Sequence, residues 1–504
     1  MTRSLDKVKG SILGEERVDA AAEQGSSKAA AVVLVEYVRS RFKLGISHAG
    51  ETFAVPIDGP RVVQMLRGGS QRMRGELLRY FYEHHGRPAS SQALTDALAT
   101  LDGFAQATQP VRLWQRVARD GEALWLDLGD REGRAVRIGP GSWSIEERPP
   151  VLFKRTVVTG ALPAPVRGGD LEPLWDYLNV VPEDRALVLA WLIGALEPDL
   201  PHPILGVFGQ QGSGKTTAMT KLVQLIDDGI AVTQRPPRDA DSWITAASAS
   251  WIIALDNISG VPAWLSDALC RVVTGEGDVR RKLYTDADLH AVAFRRVVAL
   301  SGIDLGSLAG DLADRLLPIT LAVISEEARR DERLLGPAWE RARPSFFGAF
   351  LDLAAGVLAQ LPLVRPERLP RMADFARILA AVDELLGTDG LQRYLGAQGR
   401  HAAEALTDDP FITRVMERLQ SEFDGTSADL LRAVTPEDEH WRKPKSWPDT
   451  ARAVTVRLRK QAPVMRKLGW HVSDDDGANK QGVVRWKMVA PSSEVEEGQG
   501  MFGN

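Results

Sequence analysis

The residues best suited to chemistry form a glycine-rich loop near the middle of the chain. It consists of Gly209, Gln210, Gln211, Gly212, Ser213, Gly214, Lys215 and Thr216. This order fits the pattern G-x-x-x-x-G-K-[ST], with an apolar run before it and a helix-forming stretch from Thr217 after it. Backbone N–H groups in such a loop, and the positive end of the following helix, bind phosphate oxygens. Lys215 would reach the β- and γ-phosphates, and the Thr216 hydroxyl would ligate Mg²⁺. We therefore predict that residues 209–217 bind ATP with Mg²⁺.

A carboxylate at the end of an apolar strand is the second candidate. Residues 251–255 are apolar and lead to Asp256, 41 residues after the lysine of the loop. At this spacing a Mg²⁺ ligand is favoured over a buried strand that merely ends in aspartate. The next residue is Asn257, where many related ATPases carry a second acid that orients the attacking water. An amide can position water but cannot accept its proton, so we expect slow hydrolysis or a base elsewhere, with Glu276 and Asp278 as candidates.

Two further polar residues flank later strands. Ser301 ends the apolar run 297–300 and could contact the γ-phosphate or the attacking water, or be an ordinary turn residue. Arg315 lies fourteen residues further on, directly before another apolar run. An arginine there is usually solvated, but in ring ATPases this position supplies the finger that stabilises transition-state charge in a neighbouring subunit. We predict the finger role for Arg315.

The segment between these elements predicts a hairpin. Residues 274–294 contain a glycine-rich loop, a short strand, an Asp-Ala-Asp turn and a return strand. The hairpin carries Arg280, Arg281 and Lys282 in succession. Three consecutive cations are by themselves often only a solvated surface.

Taken together, these motifs resemble the superfamily III helicases, an AAA+ group. The order is the phosphate-binding loop, the Asp-ended strand, T-G-x-G-D-x-x-R-x-L-Y from Thr274, a strand with a polar end, and Asp-Arg. It is most similar to the primase-helicase ATPases of phages, plasmids and integrative elements, over about 172–345. The chain departs from the family at Asn257, where a second acid is usual, and at Ser301, where asparagine is usual.

The resemblance implies an activity and an assembly. In that family the core forms hexameric rings on DNA, and the inserted hairpin projects into the central channel. Carried onto this sequence, it implies nucleotide binding by the glycine-rich loop and Mg²⁺ binding by Asp256. It also implies contact with a single DNA strand by residues 280–282 and a finger in trans from Arg315.

A second basic region lies near the C-terminus. Residues 442–487 contain twelve Lys or Arg and four Asp, although the whole chain has a formal charge of −5. Apolar residues recur at helical spacing over 451–468, and a hairpin pattern follows. Two helices, a basic helix and a hairpin are typical of a winged helix, which binds duplex DNA. Alternatively, such a domain binds another protein and its basic face is solvated. The candidate duplex contacts are Arg452, Arg457, Arg459, Lys460 and Arg466.

The elements that must position these residues predict an α/β fold. Apolar strands over 204–208, 251–255, 297–300 and 316–321 alternate with helices, which indicates a parallel sheet covered on both faces. With 504 residues we expect about three domains of roughly 100–200 residues each. The expected boundaries are a disordered arm 1–27, an α+β domain 28–148, a linker 149–171, the P-loop core 172–345, a helical segment 346–409, the winged-helix-like domain 410–490 and an acidic tail 491–504.

Composition and terminal sequence predict where in the cell the protein is located. No run approaches the ~18 apolar residues of a membrane span, and the N-terminus has no secretory signal pattern. A single cysteine, Cys270, excludes an internal disulfide and fits a reducing cytoplasm. We expect a cytoplasmic protein with no membrane partner.

The function predicted from these observations is an ATP-dependent DNA helicase or translocase acting as a ring in replication of a mobile genetic element. One alternative is a nucleotide-switched DNA-binding adaptor without unwinding, which the replacement of an acid by Asn257 keeps open. A less favoured alternative adds an N-terminal priming domain. Asp127 and Asp130 are the acidic pair within a β segment there, and they are more typical of a turn than of a two-metal site.

Overall fold

The computed structural model describes most of the chain. The described residues are 30–68, 72–275, 278–281, 289–292, 295–302, 310–325, 327, 330–407, 409–419, 422–438, 441–444, 446–477 and 483–491. The predicted arm and nearly all of the acidic tail lie outside these ranges. Contacts divide the chain into two compact units. The larger unit comprises 1–258, 271–302 and 319–388, and the smaller unit comprises 259–270, 303–318 and 389–504.

The larger unit begins with helices packed on a four-stranded sheet. The helices are α1 (30–41), α2 (Arg72–His85) and α3 (Ser91–Gln106). The strands are β1 (Phe42–Ser47), β2 (Thr52–Pro56), β3 (Gln64–Met65) and β4 (Pro110–Val111), in the order β3-β2-β1-β4. Helix α3 begins after Ser90, whose hydroxyl accepts the N–H of Ala93 as an N-cap. The sequence did not predict β1 to β3.

A second, antiparallel sheet follows. It consists of β6 (Val117–Asp120), β7 (Ala123–Asp127), β8 (Ala135–Gly139) and β9 (Ser142–Glu146) in sequential order. Beside it, β5 (Leu113–Trp114) pairs in parallel with β10 (Leu152–Phe153). Residues 110–120 are thus divided among three short strands, β4, β5 and β6.

A five-stranded sheet follows, with four strands in the larger unit and the fifth, the last along the chain, at the boundary between the units. Its strands are β11 (Ile204–Phe208), β12 (Thr233–Gln234), β13 (Ile252–Leu255), β16 (Val297–Ser301) and β17 (Leu316–Thr320). The order is β12-β13-β16-β11-β17, and the β12–β13, β13–β16 and β16–β11 pairs are parallel. The prediction of a mixed α/β fold with a parallel sheet is confirmed. The edge strand β12 was not predicted.

Helices precede, connect and follow these strands along the chain. They are α4 (Trp175–Leu178), α5 (Arg185–Gly194), α6 (Lys215–Gln224), α7 (Ala240–Ala249), α8 (Ala263–Thr274), α9 (Gly310–Ala313), α10 (Glu332–Gln360) and α11 (Ala373–Leu386). Strands β14 (Asp278–Arg281) and β15 (Leu289–Val292) pair separately. Helix α10 is long and apolar enough to cross a membrane, but 56% of the relevant window is buried in the protein, as in the core helix of a globular domain.

A buried arginine fastens the N-terminal sheets to the central sheet. Arg116 is 2% exposed, and its φ of +60° is unusual for a residue with a side chain. Its guanidinium donates to the Asp227 carboxylate at 2.8 Å and to three backbone carbonyl groups. The other Asp227 oxygen accepts the N–H groups of Trp251 and Ile252, where β13 begins. The strand that leads to Asp256 is therefore anchored at its start by the N-terminal region.

The smaller unit contains the C-terminal helices and sheet. The helices are α12 (Gly390–Thr407), α13 (Pro410–Arg418), α14 (Ser427–Val434) and α15 (Ala451–Lys467). The strands β18 (Phe423–Thr426), β19 (His471–Asp474) and β20 (Arg485–Val489) form one sheet in the order β18-β20-β19. The sequence predicted a two-stranded hairpin, and β18 adds a third strand. Pro463 lies inside α15 and does not end it.

Candidate functional site

The glycine-rich loop connects β11 to α6. Gly212 and Gly214 adopt φ values of +82° and +80°, in the left-handed region that glycine enters at little cost. Gly214 is the N-cap of α6, so the helix begins at Lys215, as the motif requires. The exposed N-terminus of α6 follows directly on the end of β11. This geometry suits a phosphate group, because free N–H groups and the helix dipole meet there.

Asn179 supports the loop from another element. Its side-chain amide donates to the carbonyl oxygen of Ala322 at 2.6 Å and to that of Ser213 at 3.3 Å. Asn179 closes α4 in a left-handed conformation with φ of +53°. The sequence reasoning missed this residue, since an asparagine at a helix end is an ordinary cap. The Ser213 hydroxyl is buried and has no hydrogen-bond partner among the described residues.

Lys215 lies against its own loop. Its ammonium donates to the carbonyl oxygens of Gly209 and Gln210, each at 2.9 Å. The side chain of Thr216 is exposed at the first turn of α6, and Thr217 follows it, half-buried. The loop thus presents one cation and one hydroxyl beside the helix N-terminus.

Asp256 brings together three of the predicted residues. Its Oδ2 accepts the Thr216 hydroxyl at 2.8 Å, and its Oδ1 accepts a short hydrogen bond from the Ser301 hydroxyl. The Ser301 oxygen in turn accepts the N–H of Asn257 at 3.1 Å. The contact between Asp256 and Ser301 follows from topology, because β13 and β16 are adjacent parallel strands and their carboxyl ends share one sheet edge. Hydroxyl and carboxylate oxygens are ligands that Mg²⁺ accepts, so this residue set fits a magnesium–nucleotide site.

Asn257 is exposed beside this cluster in a restricted conformation. Its φ is +57°, a region in which asparagine and aspartate are enriched among residues with side chains. A Cβ at Gly302 would come within 3.0 Å of the Asn257 Cα atom. The strand-end turn therefore has little room to change.

Replacing Asn257 by aspartate tests whether an adjacent acid is the missing general base. We expect ATP turnover to stay unchanged or to rise by up to about a hundredfold, because a positioned base accelerates water attack. Aspartate also tolerates the left-handed backbone, so the fold should be preserved. Steady-state ATPase assays on Asn257→Asp and Asn257→Ala would measure this. A large loss in Asn257→Asp would instead give the amide its own polarising role.

Arg315 is buried within the smaller unit. It is 6% exposed, and its guanidinium contacts the Asp311 carboxylate at 2.5 Å and the Asp311 carbonyl oxygen at 2.9 Å. Its Nε has no hydrogen-bond partner in the described part of the chain. The sequence suggested a solvated or interfacial arginine, whereas this side chain is held by α9. To reach a neighbouring subunit, Arg315 would have to leave Asp311.

The predicted hairpin is present as an antiparallel pair. Arg280 pairs with His290 and Arg281 with Leu289 in the β14–β15 register. Asp278 pairs with Val292 at the other end. Lys282 and Glu276 lie outside the described residues.

The candidate cations of α15 fall into two groups. Arg459 pairs with Asp474 and Asp476, the Arg466 Nε donates to the Val472 carbonyl oxygen at 2.7 Å, and Arg457 contacts Asp409 at 3.3 Å. Arg452 and Lys460 are exposed, and no ion pair joins either to another residue in the described ranges. The second group is thus the one available to a ligand.

The acidic pair considered for priming serves a structural role. Asp127 is 1% exposed and accepts two hydrogen bonds from the Arg155 guanidinium, at 2.6 and 2.8 Å. Asp130 pairs with Arg134 at 2.7 Å. No group of three acidic, histidine or cysteine side chains suited to a metal occurs among the residues that the structure describes.

Comparison with known proteins gives the family. Residues 174–409 match the model of the actinomycete integrative conjugative element replication protein, and residues 411–496 match the model of the C-terminal domain of the same proteins. No curated protein sequence matches the chain significantly.

Solved structures show only distant similarity. The apo NrS-1 C-terminal region is 10% identical with a TM-score of 0.39, covering 92% of this chain and 100% of that one. The JCV helicase is 13% identical with a TM-score of 0.22, covering 45% of this chain and 67% of that one. The assignment therefore rests on the two family models, which together match more than half of the residues. The chain belongs to the family of actinomycete integrative conjugative element replication proteins.

Proposed function

We propose that this replication protein is an ATP-dependent DNA helicase or translocase that acts as a ring, with a P-loop AAA+ core. The observation that carries the proposal is the cluster at the strand ends. Asp256 accepts hydrogen bonds from Thr216 and Ser301 directly beside the loop that carries Lys215. Each group has the chemistry that nucleotide hydrolysis needs, and the groups come from three separate segments of the chain.

The residues of this cluster have distinct roles in the proposed reaction. Bound ATP with Mg²⁺ would supply the phosphoryl group and a charge that polarises it. Residues 209–217 hold the phosphates through backbone N–H groups, and Lys215 neutralises their charge. Thr216 and Asp256 provide oxygen ligands for the metal. Ser301 orients the Asp256 carboxylate, and Asn257 positions the attacking water.

The DNA contacts are proposed at two places. The β14–β15 hairpin, with Arg280, Arg281 and Lys282, would grip a single strand in the ring channel. The C-terminal part of the chain would act as a winged-helix-like domain that binds duplex through the exposed cations of α15. A homo-oligomer, proposed to be a hexamer, would then let Arg315 complete the site of a neighbouring subunit.

Strand displacement on a forked duplex tests the proposal. We expect the protein to unwind the fork only with ATP and Mg²⁺. Substituting Arg280, Arg281 and Lys282 together by alanine should abolish unwinding and DNA-stimulated turnover while sparing basal turnover, because the proposal assigns these cations to the DNA strand and not to the nucleotide. Release of the labelled strand and phosphate production would be measured in parallel.

A matched variant controls for lost charge. Arg330, just before α10, and Arg333 and Arg341, within it, are exposed cations, and their joint substitution by alanine removes the same charge. This variant should unwind normally. Equal losses in both variants would remove the hairpin from the mechanism.

The second candidate function is a nucleotide-switched DNA-binding adaptor. Asn257 favours it, since no second acid follows Asp256. An adaptor would bind ATP and DNA but release no strand from the fork, with or without ATP. The same assay therefore separates the two functions.

A further inference from the structure

A cavity of about 730 Å³ lies in the N-terminal part of the larger unit, away from the nucleotide cluster. Its lining comes from β1 and β2, from β5 and the end of β6, and from the segment that leads into β10. Neither the sequence motifs nor the proposed ATPase mechanism uses this region. Its volume suits one or a few nucleotides rather than a folded partner.

The floor of the cavity is apolar. Phe53 and Val55 are 2% and 6% exposed and belong to a small hydrophobic cluster against which Leu152 packs. Gly45 also lines the floor, and a Cβ there would collide with the Phe53 ring at 2.6 Å. On the rim, Ile57 is 47% exposed and Val111 is 39% exposed. Exposed apolar surface is thus offered to a ligand by Ile57 and Val111, above a buried apolar cluster.

The lining is strongly cationic. It includes five cations, which are Lys43, Arg61, Arg112, Arg119 and Arg148, and one acid, Asp120. Two of the cations pair with acids outside the lining, Arg112 with Asp199 and Arg119 with Glu197. For the other three, no ion pair with a carboxylate occurs in the described part of the chain.

Two of these unpaired cations repel one another. Arg61 donates to the Pro149 carbonyl oxygen at 2.6 Å, and Arg148 donates to the Ile57 carbonyl oxygen at 2.8 Å. Burial lowers the pKa of Arg61, and the charge of Arg148 lowers it further. An anion between the two guanidinium groups would relieve this repulsion. The site is therefore electrostatically prepared for phosphate.

A flat aromatic surface lies in the same cavity. The Arg112 guanidinium carbon lies 3.5 Å from the centroid of the Trp114 ring, so the two planar groups are stacked. Trp114 is half-buried in β5. Aromatic and guanidinium planes are the groups on which unpaired bases stack in single-strand-binding proteins.

Arg112 of the cavity lining shares a charged neighbour, Asp199, with Arg295. Arg295 donates to the Thr274 carbonyl oxygen at 2.9 Å and so closes the segment that contains β14 and β15. Burial lowers the pKa of Arg295, with Asp199 opposing that shift and Arg112 adding to it. Asp199, the partner of Arg112, is thus also a neighbour of Arg295.

We propose that this cavity binds single-stranded DNA, with phosphates on Lys43, Arg61 and Arg148 and a base on the Arg112–Trp114 stack. Duplex DNA fits less well, because its base faces are already stacked on one another. A free nucleotide also fits less well, since the unpaired cations come from three separate segments and no glycine-rich loop focuses them on one phosphate. The proposal extends the helicase function and depends on it only for the path of the strand.

The test measures binding of a fluorescent dT20 oligonucleotide to the full chain without ATP. Replacing Lys43 and Arg148 by glutamine removes two charges and keeps donor groups. We expect affinity at about 0.1 M salt to fall roughly tenfold, and the slope of log K against log salt to flatten by about 1.4, or ~0.7 for each lost phosphate contact. The matched control is Arg131→Gln with Arg137→Gln, two exposed cations of the same region that do not line this cavity. It should bind as the wild type does.

A second measurement uses the unaltered protein. Photocrosslinking with an oligonucleotide that carries 5-iododeoxyuridine should label Trp114. Labels confined to the hairpin or to α15 would overturn the proposal, and so would equal weakening in the glutamine pair and its control. If dTMP added before irradiation prevents labelling of Trp114 as readily as unlabelled dT20 does, the cavity would be reassigned to free nucleotides.

The outcome is separable from that for the ATPase. The Lys43 and Arg148 variant should keep basal ATP turnover, since neither residue lies in the nucleotide cluster. If this variant binds dT20 normally while the fork is unwound, only the cavity proposal fails. If the fork is not unwound but Trp114 is labelled, the helicase proposal fails and single-strand binding stands.

Discussion

Substitution of Lys215 by alanine is expected to lower ATP turnover at least about a hundredfold and to weaken nucleotide binding. The ammonium is the cation of the phosphate-binding loop, and its hydrogen bonds to the Gly209 and Gln210 carbonyl oxygens are readily exchanged for phosphate oxygens. Loss of one preorganised group at a site of developing charge typically costs ~10²–10³ in rate. Phosphate release and equilibrium binding of a fluorescent ATP analogue would measure both effects.

The neighbouring glutamine provides the control. Gln211 is exposed in the same loop and is expected to contribute only its backbone, so Gln211→Ala should keep most of the turnover. Near-normal turnover in Lys215→Ala, with wild-type melting behaviour, would exclude Lys215 from the site. Equal losses in both variants would indicate a damaged loop rather than a missing charge.

Substitution of Arg315 by alanine should leave ATP binding intact and reduce turnover by about a thousandfold if this residue is the finger. Its Nε has no partner in the described part of the chain, so the guanidinium has bonding capacity left for a ligand. Mixing Arg315→Ala with Lys215→Ala subunits should restore part of the activity. In mixed rings, some sites combine an intact Lys215 with an intact Arg315 from the neighbour.

Because Arg315 is buried, stability must be followed beside activity. A lower melting temperature of Arg315→Ala would reveal loss of the contact with Asp311. Ring formation would be checked by the molecular mass of the assembly. Arg333→Ala is the control, since this side chain is 91% exposed. Absence of rescue in mixed rings of normal stability would assign Arg315 to a structural role within its own subunit.

The parts of the site that the sequence predicts are those set by local pattern and strand order. The loop, the strand leading to Asp256 and the strand leading to Ser301 each have a clear local signal. Adjacent parallel strands end at one edge, so the meeting of Asp256 with Ser301 follows from strand order. Their chemistry in the intact protein remains a proposal.

The parts that the sequence did not predict depend on distant contacts. In the sequence, Asn179 is typical of a helix cap. Its hydrogen bonds to Ser213 and Ala322 form only when α4 lies beside the loop. The pairing of Arg459 with Asp474 and Asp476 likewise requires β19 to fold back along α15. Strand β1 contains lysine and glycine between its apolar residues, which weakened the alternating pattern on which strand prediction depends.

The hydrogen bonds of Arg116 show that the range matched by the family model and the range that holds the central sheet begin at different residues. The family model begins at residue 174, yet the carboxylate that secures the first amides of β13 is held by a guanidinium from residue 116. If the chain were cut at residue 174, where the family match begins, Asp227 would lose the guanidinium group of Arg116. Asp227 accepts hydrogen bonds from the first amides of β13, the strand that leads to Asp256. The range matched by the family model is therefore shorter than the range that supplies the contacts of β13. An isolated core should include the N-terminal sheets.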